Sequence, residues 1–216
     1  MIQLYHCTDA RSFRPLWALE ELGLAYDLKV LPFPPRHRDK PYMAVNPLGT
    51  IPALIDGGVF MTESAAIVQY LVTRYGPSSL AVTVDEPAYG AWLNWLHYGE
   101  ATLTFPQTLV IRYRRFEPGK AEAVANDYAK WFLSRLRAVD RVVETSDWLC
   151  ADRFTAADIS VGYALLLAEH LGLIAEAQPQ TQAYWRRLQD RPGFQAAKAA
   201  QRLHAPPGTE HFAGGE

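Results

Sequence analysis

The feature that most restricts the fold is a proline at the start of a short apolar strand, within the stretch NPLGTIPALIDGG of residues 46–58. Proline has no backbone N–H to donate to a sheet, so Pro52 belongs to the first residue of a strand or to an edge strand. The residues after it are apolar as far as an Asp-Gly-Gly turn, which is typical of a strand that packs on a core. Such an edge either blocks aggregation or stays open for a partner outside the sheet.

Strand and helix patterns alternate over the first 76 residues. Ile2 to His6 is predicted to be a strand. Ser12 to Gly23 is predicted to be a helix, because apolar residues recur there at intervals of three and four. Ser12 suits the N-cap of that helix and Gly23 its end. The remaining predictions are strands at residues 26–32, 51–55 and 59–61 and a helix at 62–76. This order predicts a small mixed sheet with helices packed against it, about the size of a thioredoxin-like unit.

The second half of the chain is predicted to be helical throughout. Pro, Ser and acidic residues at 77–86 predict a linker, so we place the two domains at residues 1–76 and 87–216. Thr155 and Asp158 have the spacing of a capping box, in which the acidic side chain reaches back to the backbone N–H of the cap residue. Asp158 is therefore assigned to folding. The predicted helices are at 88–105, 120–146, 155–173 and, with a break at 191–193, 181–201.

Composition excludes several classes of function. Of the 216 residues, 49% are hydrophobic, which supports a packed core, and the net charge of −2 gives no attraction to nucleic acid or an anionic membrane. Cys7 and Cys150 are far apart and lack metal-ligand spacing, so we predict two inert thiols, no metal and a reducing compartment. No signal-peptide pattern begins the chain, and no apolar run approaches the ~20 residues of a membrane span. The sequence therefore predicts a cytoplasmic protein.

Four stretches together carry a family resemblance: RSFRPLWALEELGLAYD, NPLGTIPAL, TESAAIVQYL and RFTAADISVGYAL. They occur in order and span nearly the whole chain, which resembles the cytosolic glutathione transferases, especially their bacterial members. The resemblance implies an α/β N-terminal thioredoxin-like domain followed by an all-α C-terminal domain. It also implies a homodimer that uses glutathione as co-substrate and attacks an apolar electrophile with the glutathione thiolate.

The resemblance assigns glutathione to the edge at Pro52. It implies that the Ile51–Pro52 peptide bond is cis and that the cysteinyl backbone of glutathione pairs with Ile51 as an added strand. Ser64 is expected to hold the γ-glutamyl carboxylate at a helix N-terminus, while Glu63 pairs with the α-amino group. A plain helix cap is the alternative for this pair. For the glycyl carboxylate we expect Lys40, then His37, and Thr50 is expected to contact the ligand.

The residue that stabilises the thiolate is left open by the sequence. In the turn HCTDARSF, none of the catalytic residues that the family usually has stands in its usual place, and only Tyr5, just before the turn, matches a usual position. The candidates, in order of preference, are Ser12, Arg11, Tyr5 and Thr8. Asp9 is unexpected, because a carboxylate beside a thiolate disfavours the charged sulfur, and we expect its side chain to point away.

The resemblance places the second substrate at the start of the helical half, beside the first domain. The expected contacts are aromatic and basic residues: Tyr98, Phe105, Arg112, Tyr113 and Phe116. Two alternative functions remain. One is a glutathione-binding or scaffold protein without transferase activity, which the altered turn favours, and the other is a glutathione-dependent isomerase or dehalogenase.

Overall fold

Contacts divide the chain into two units. The computed structural model describes residues 1–205. One unit comprises Met1–Ser78 together with the segment that begins at Asp190, and the other comprises Ser79–Gln189. The last helical segment therefore belongs to the first unit, whereas the sequence analysis assigned it to the helical half. The domain boundaries drawn from the sequence stay predictions.

The first unit contains a four-stranded mixed sheet in the order β2-β1-β3-β4. Its strands are β1 (Ile2–His6), β2 (Tyr26–Val30), β3 (Ala53–Asp56) and β4 (Val59–Met61). β2 pairs with β1 in parallel, and β3 pairs antiparallel with both β1 and β4. The predicted mixed sheet is confirmed, and β4 forms one edge of it.

Three helices form within the first 76 residues, and the sequence predicted the first and the third of them. They are α1 (Phe13–Leu22), α2 (Pro35–Arg38) and α3 (Ser64–Arg74). α1 buries an apolar face and ends at Gly23, whose left-handed backbone (φ 61°) suits glycine. The short α2 and a 3₁₀ turn at Lys40–Ala44 occupy the region that the sequence predicted to be a loop.

The second unit is entirely helical within the described residues. Its helices are α4 (Tyr89–Tyr98), α5 (Phe105–Ile111), α6 (Glu122–Val143), α7 (Ala156–His170) and α8 (Pro179–Gln189). A wider π-helical turn at Gly99–Thr104 connects α4 to α5. A Cβ atom at Gly99 would lie only 2.5 Å from the backbone of Ser160. α7 therefore passes so close to this turn that only glycine fits.

The segment predicted to be a linker is bound to the second unit from Ser79 onward. Arg153 donates hydrogen bonds to the carbonyl oxygens of Ser79 and Ala81, both at 3.0 Å. Its guanidinium also pairs with the carboxylate of Glu86 at 2.8 Å. Leu80 is buried. One arginine thus fixes most of this stretch in place.

The capping box at the start of α7 is confirmed. Thr155 has extended backbone and accepts a hydrogen bond from the N–H of Ala157 at 3.2 Å. Asp158 Oδ2 accepts from the Thr155 N–H at 2.8 Å. Its other oxygen accepts from the hydroxyl of Tyr184 at 2.8 Å and the N–H of Leu149 at 3.1 Å. A fully buried carboxylate therefore joins α7 to α8 and to the preceding loop.

The last described helix, α9 (Pro192–Leu203), packs on α1 in the first unit. The ring of Phe194 lies edge-on against Phe13 and Trp17, with centroid distances of 5.3 and 5.0 Å. Just before α9, Arg191 pairs through two nitrogens with both carboxylate oxygens of Glu21, at 2.7 Å each. Apolar and ionic contacts together hold α9 against α1.

Candidate active site

Pro52 lies just before the first residue of β3, which is an internal strand between β1 and β4 and not an edge strand. The Ile51–Pro52 peptide bond is cis. The ladder between β1 and β3 runs only as far as Ala53, opposite Tyr5, and β4 pairs with Leu54–Asp56. Ile51 therefore lies beyond the paired part of β3 on both sides. An extended peptide can pair with such unpaired backbone through its main chain.

Thr50 is held from its backbone. Its carbonyl oxygen accepts a hydrogen bond from the hydroxyl of Tyr42 at 2.6 Å and another from the side-chain amide of Asn46 at 2.8 Å. The same amide lies 3.1 Å from the Thr50 hydroxyl oxygen. These bonds fix the orientation of the peptide that leads into Ile51.

Ser64 and Glu63 lie where α3 begins. Glu63 is exposed, and its side chain makes no capping bond. Ser64 is buried, and its hydroxyl oxygen accepts a hydrogen bond from Nη1 of Arg14 at 3.1 Å. The first N–H groups of an 11-residue helix favour an anion at the same position.

Arg14 contacts a predicted site residue, Ser64, and the sequence analysis did not name it. It lies in the first turn of α1 and is fully buried. An arginine among the apolar residues of FRPLWALEEL was the available signal, because a buried arginine is rare unless it is paired. Its guanidinium places a positive charge beside the Ser64 hydroxyl.

Lys40 and His37 lie on the exposed loop between β2 and β3. The ammonium of Lys40 donates to the carbonyl of Arg36 at 3.1 Å, and Arg36 Nε donates to the His37 ring at 3.2 Å. A Cβ atom at Gly49 would lie 2.5 Å from Cβ of Arg36. Gly49 thus allows this cationic loop to pack against the segment that leads into Ile51.

Ser12 is not the side-chain cap that the sequence predicted. Its backbone is helical (φ −65°, ψ −9°), and its hydroxyl makes no capping bond. The hydroxyl instead accepts from the Cys7 N–H at 3.1 Å and donates to the Cys7 carbonyl at 3.3 Å. Ser12 is fully buried. It closes the turn between β1 and α1 and has no exposed surface.

The other catalytic candidates differ in how much they are exposed. Arg11 is half-buried at the start of α1, and Thr8 is almost fully buried in the turn. The hydroxyl of Tyr5 donates to Gln3 Oε1 at 3.2 Å, and its ring lies 5.4 Å from that of Tyr42. Of the four candidates, Arg11 alone offers a positively charged side chain, whereas the other three offer hydroxyl groups.

Asp9 points into the protein, as expected. Its backbone is left-handed (φ 54°), and its side chain is fully buried. Lys198 Nζ lies 2.7 Å from Asp9 Oδ1, and Gln201 Nε2 donates to the same oxygen at 2.7 Å. Both partners belong to α9. The turn that carries the catalytic candidates is therefore held from the far end of the chain.

His6, at the end of β1, is fully buried against the same cluster. Its Nε2 lies 2.9 Å from Gln201 Oε1. Burial lowers the pKa of His6 from 6.5 to about 4, so the ring is neutral in the folded protein at neutral pH. The unfolded chain takes up this proton more readily. Stability from this group is therefore fully present above pH 6.5 and is lost as the pH falls toward 4.

We expect the substitution His6→Gln to remove that part of the acid sensitivity. Between pH 7.5 and pH 5 the native histidine costs about 2 kcal/mol of unfolding free energy, and glutamine, which does not titrate, costs none. Urea unfolding of both proteins at the two pH values measures the difference. Equal losses in the wild type and the variant would contradict the burial of a neutral His6.

Cys7 is buried, as predicted, whereas Cys150 is only half-buried. Cys7 is fully buried next to the Pro32 carbonyl, and burial raises the pKa of its thiol well above the usual range. Burial also raises the pKa of Cys150, whose sulfur lies 3.8 Å from the Thr155 hydroxyl. A thiol with a raised pKa is a poor nucleophile at neutral pH.

The predicted contacts of the second substrate all belong to the second unit. The hydroxyl of Tyr98 donates to the Arg135 carbonyl at 2.8 Å. Arg112 pairs with Glu117 at 2.7 Å, and its guanidinium lies 5.7 Å from the centre of the Tyr113 ring. Phe105 and Phe116 are about half exposed. Their role as a pocket stays a prediction.

Comparisons with known proteins identify the family. Residues 4–79 match the family model "Glutathione S-transferase, N-terminal domain" and residues 66–192 match "Glutathione S-transferase, C-terminal domain". The curated protein "Glutathione S-transferase 3" of Schizosaccharomyces pombe is 29% identical, over 91% of this chain and 86% of its own length. The chain belongs to the glutathione S-transferase family.

Solved structures agree with this assignment. A glutathione transferase of Methylococcus capsulatus is 28% identical, with a TM-score of 0.84 over 94% of this chain and 100% of its own. A sphingomonad glutathione S-transferase solved in complex with glutathione is 25% identical, with a TM-score of 0.82 over 93% of this chain and 99% of its own. The predicted family and fold class are confirmed. These relatives support transferase activity with glutathione as co-substrate and do not favour the alternative functions.

Two further observations concern the described part of the chain. None of its helices is long and apolar enough to cross a bilayer. Across residues 1–205, no three His, Cys, Asp or Glu side chains gather into a group that could hold a metal ion.

Proposed function

We propose that this protein conjugates glutathione to apolar electrophiles, with the tripeptide docked along the unpaired backbone at Ile51. The proposal depends on two features that lie close together in the sequence and in the first unit. The backbone lies unpaired at Ile51, and α3 begins at Ser64 just after the hairpin that β3 and β4 form. The unpaired backbone at Ile51 suits the main chain of a peptide, and the N-terminus of α3 suits the carboxylate of an amino acid.

Each end of glutathione has a matching group in the proposed site. The γ-glutamyl carboxylate accepts from the Ser64 N–H and hydroxyl, with the charge of Arg14 behind them. The α-amino group pairs with the exposed carboxylate of Glu63. Lys40, or else His37, reaches the glycyl carboxylate from the exposed loop. Thr50 contacts the tripeptide backbone beside Ile51.

The chemistry requires the thiol of glutathione to lose its proton. A free thiol has a pKa of about 8.5, so only a few per cent is ionised at neutral pH. The positive end of α1 and a nearby cation favour the thiolate. The thiol proton passes to solvent, the sulfur forms a bond to the electrophilic carbon, and the leaving group departs with its bonding electrons.

We infer that Arg11 supplies that cation. The Ser12 hydroxyl is already committed to both backbone groups of Cys7 and is fully buried, which leaves it no surface to offer the sulfur. Arg11 precedes it at the same helix end and is only half-buried. Tyr5 and Thr8 offer hydroxyl groups instead of a positive charge, and Thr8 is almost fully buried.

Conjugation of a chlorinated nitroaromatic tests the function and the role of Arg11 together. We expect wild-type protein to bind to immobilised glutathione and to form the conjugate. Loss of a charge that stabilises the thiolate costs about 1.4 kcal/mol, so Arg11→Met should lower kcat/KM about 10-fold. Arg11→Lys is the matched control and should retain most activity.

Two outcomes would contradict these proposals. If the wild type did not bind glutathione, the proposed binding site at Ile51 would be wrong. If Arg11→Met kept full activity while Ser12→Ala lost activity at unchanged thermal stability, Ser12 and not Arg11 would be the residue that stabilises the thiolate.

We further propose a cytoplasmic homodimer. Val59 and Phe60 on β4 expose large apolar side chains, as does Trp131 in the second unit, and a second copy would cover such surfaces. Sedimentation equilibrium measures the mass directly. The predicted electrophile contacts, Tyr98 and Tyr113 among them, are proposed on the resemblance alone.

A further inference from the structure

A groove opens on the second unit between α6 and the segment that leads into α8. Residues 130–140 of α6 line one wall, and residues 176–178 line the other. The groove has a volume of about 310 Å³. Sites for small molecules span about 300 to 1,000 Å³, so a ligand of this groove is small. All of the lining belongs to the second unit, whereas the proposed glutathione site belongs to the first.

Part of the groove is apolar. Leu136 on α6 and Ala177 on the facing wall are buried, and Leu133 is half-buried. Lys130 lies three residues before Leu133, on the same face of α6, and is exposed. The stem of a lysine can cover apolar groups while its charge stays in water. The groove therefore offers a surface on which one apolar side chain can pack.

A buried carboxylate lines the groove at the end of the α6 wall. Asp140 is 8% exposed, and its Oδ1 accepts a hydrogen bond from the hydroxyl of Thr181 in α8. The other oxygen, Oδ2, has no partner among residues 1–205. A buried carboxylate oxygen requires a donor, because an unpaired charge is costly to desolvate. Asp140 thus offers an acceptor for a cation, and Glu176 adds an exposed carboxylate on the facing wall.

A cation lies beside this acceptor. Arg137 precedes Asp140 by three residues, so the two side chains are neighbours on one face of α6, with Cβ atoms about 5 to 6 Å apart. In the described part of the chain no ion pair joins them, and the guanidinium of Arg137 has no other partner there. The groove therefore presents two opposite charges side by side, and neither has its counter-ion.

We propose that this groove binds a free α-amino acid with an apolar side chain. The ammonium group pairs with Asp140 Oδ2, and Glu176 lies on the facing wall. The carboxylate accepts hydrogen bonds from Arg137, and the apolar side chain packs on Leu133 and Leu136. Both charged groups of a free amino acid are attached to one carbon atom, so they match a donor and an acceptor that are neighbours on a helix. In a peptide the two ends are further apart by about 3.3 to 3.6 Å for each residue.

Calorimetric titration of the full chain with L-leucine at neutral pH tests the proposal. We expect one site with a Kd of about 1 mM, because the ligand has few atoms. N-acetyl-leucine lacks the ammonium group and leucinamide lacks the carboxylate. Each should bind about 10-fold more weakly, because a hydrogen bond between charged groups is lost. Leucine should leave binding to immobilised glutathione unchanged, since the two sites belong to different units.

Variants of the two charged residues test the named partners. Arg137→Met and Asp140→Asn should each weaken leucine binding about 10-fold. Asparagine keeps an oxygen atom that can accept from the Thr181 hydroxyl, which protects the contact between α6 and α8. Arg137→Lys keeps the positive charge and should retain most of the affinity. Arg141→Met removes an exposed arginine of α6 that does not line the groove, and it serves as the matched control.

The proposal is overturned if L-leucine at about 10 mM gives no heat of binding to the wild type. It is also overturned if Arg137→Met and Asp140→Asn both bind leucine as tightly as the wild type does. Equal binding of leucine and N-acetyl-leucine would show that the groove recognises the apolar side chain alone, against the proposal. If Asp140→Asn does not fold, Arg137→Met and the two modified ligands decide. The result is independent of the proposed transferase activity, which is measured separately.

Discussion

The variant Asp158→Ala should lose about 3 to 5 kcal/mol of unfolding free energy, because it leaves several buried donors without an acceptor. The carboxylate accepts hydrogen bonds from the N–H groups of Thr155 and Leu149 and from the hydroxyl of Tyr184. Each buried donor left unpaired costs about 1 to 3 kcal/mol. The variant also loses the capping box that starts α7.

Urea unfolding followed by circular dichroism measures this loss at neutral pH. Asp147→Ala is the matched control: that carboxylate pairs with Arg187 at 3.1 Å, but its side chain is 74% exposed. An exposed pair contributes about 0 to 1 kcal/mol, so the control should unfold nearly as the wild type does. A loss below about 1 kcal/mol in Asp158→Ala would show that the buried donors find other acceptors.

The variant Ser64→Ala should raise the KM for glutathione about 30-fold, which equals about 2 kcal/mol, while kcat at saturation changes little. In the proposed site its hydroxyl donates to the γ-glutamyl carboxylate and accepts from Arg14 at 3.1 Å. Hydrogen bonds to a charged group are stronger than neutral ones. The N–H of Ser64 remains, so binding weakens without being abolished.

Steady-state kinetics and calorimetric titration with glutathione check this result. Ser64→Thr keeps the hydroxyl and should restore most of the affinity. Thr73→Ala removes a hydroxyl near the other end of α3, where it bonds only to carbonyl oxygens of its own helix, and should leave KM unchanged. An unaltered KM in Ser64→Ala would place the γ-glutamyl group elsewhere.

Local patterns were sufficient to predict the sheet, the position of most helices and the capping box. Apolar residues recur every two positions in a strand and every three to four in a helix. This spacing shows which face is buried, and it can be seen within each segment alone. The sequence also predicted that Pro52 could stand at the start of a strand, because proline has no N–H to donate to a sheet, and β3 begins directly after it at Ala53. The alternative, an edge strand, was wrong, because β3 lies between β1 and β4.

The prediction for Ser12 failed for a conformational reason. A side-chain cap needs extended backbone, as Thr155 has (φ −136°, ψ 176°), whereas Ser12 is already helical (φ −65°, ψ −9°). Residue type alone does not distinguish the two. The hydroxyl of Ser12 turns back to Cys7 instead and closes the turn.

Other parts of the site depend on contacts between distant segments. Asp9 and Lys198 are 189 residues apart, and Arg14 and Ser64 are 50 apart. No periodicity or spacing rule connects residues at such separations, because the fold alone brings them together. The sequence could show only that a charged residue stood among apolar ones.

The packing of α9 on α1 has a consequence for how the protein is made. Phe13 and Trp17 of α1 are fully buried, and Phe194 of α9 covers part of their surface. A ribosome releases α1 long before it releases α9, so the nascent first unit carries an uncovered aromatic surface until synthesis is nearly complete. A fragment ending at Ser78 would retain that surface permanently, and expression of the unit in isolation would require both ends of the chain.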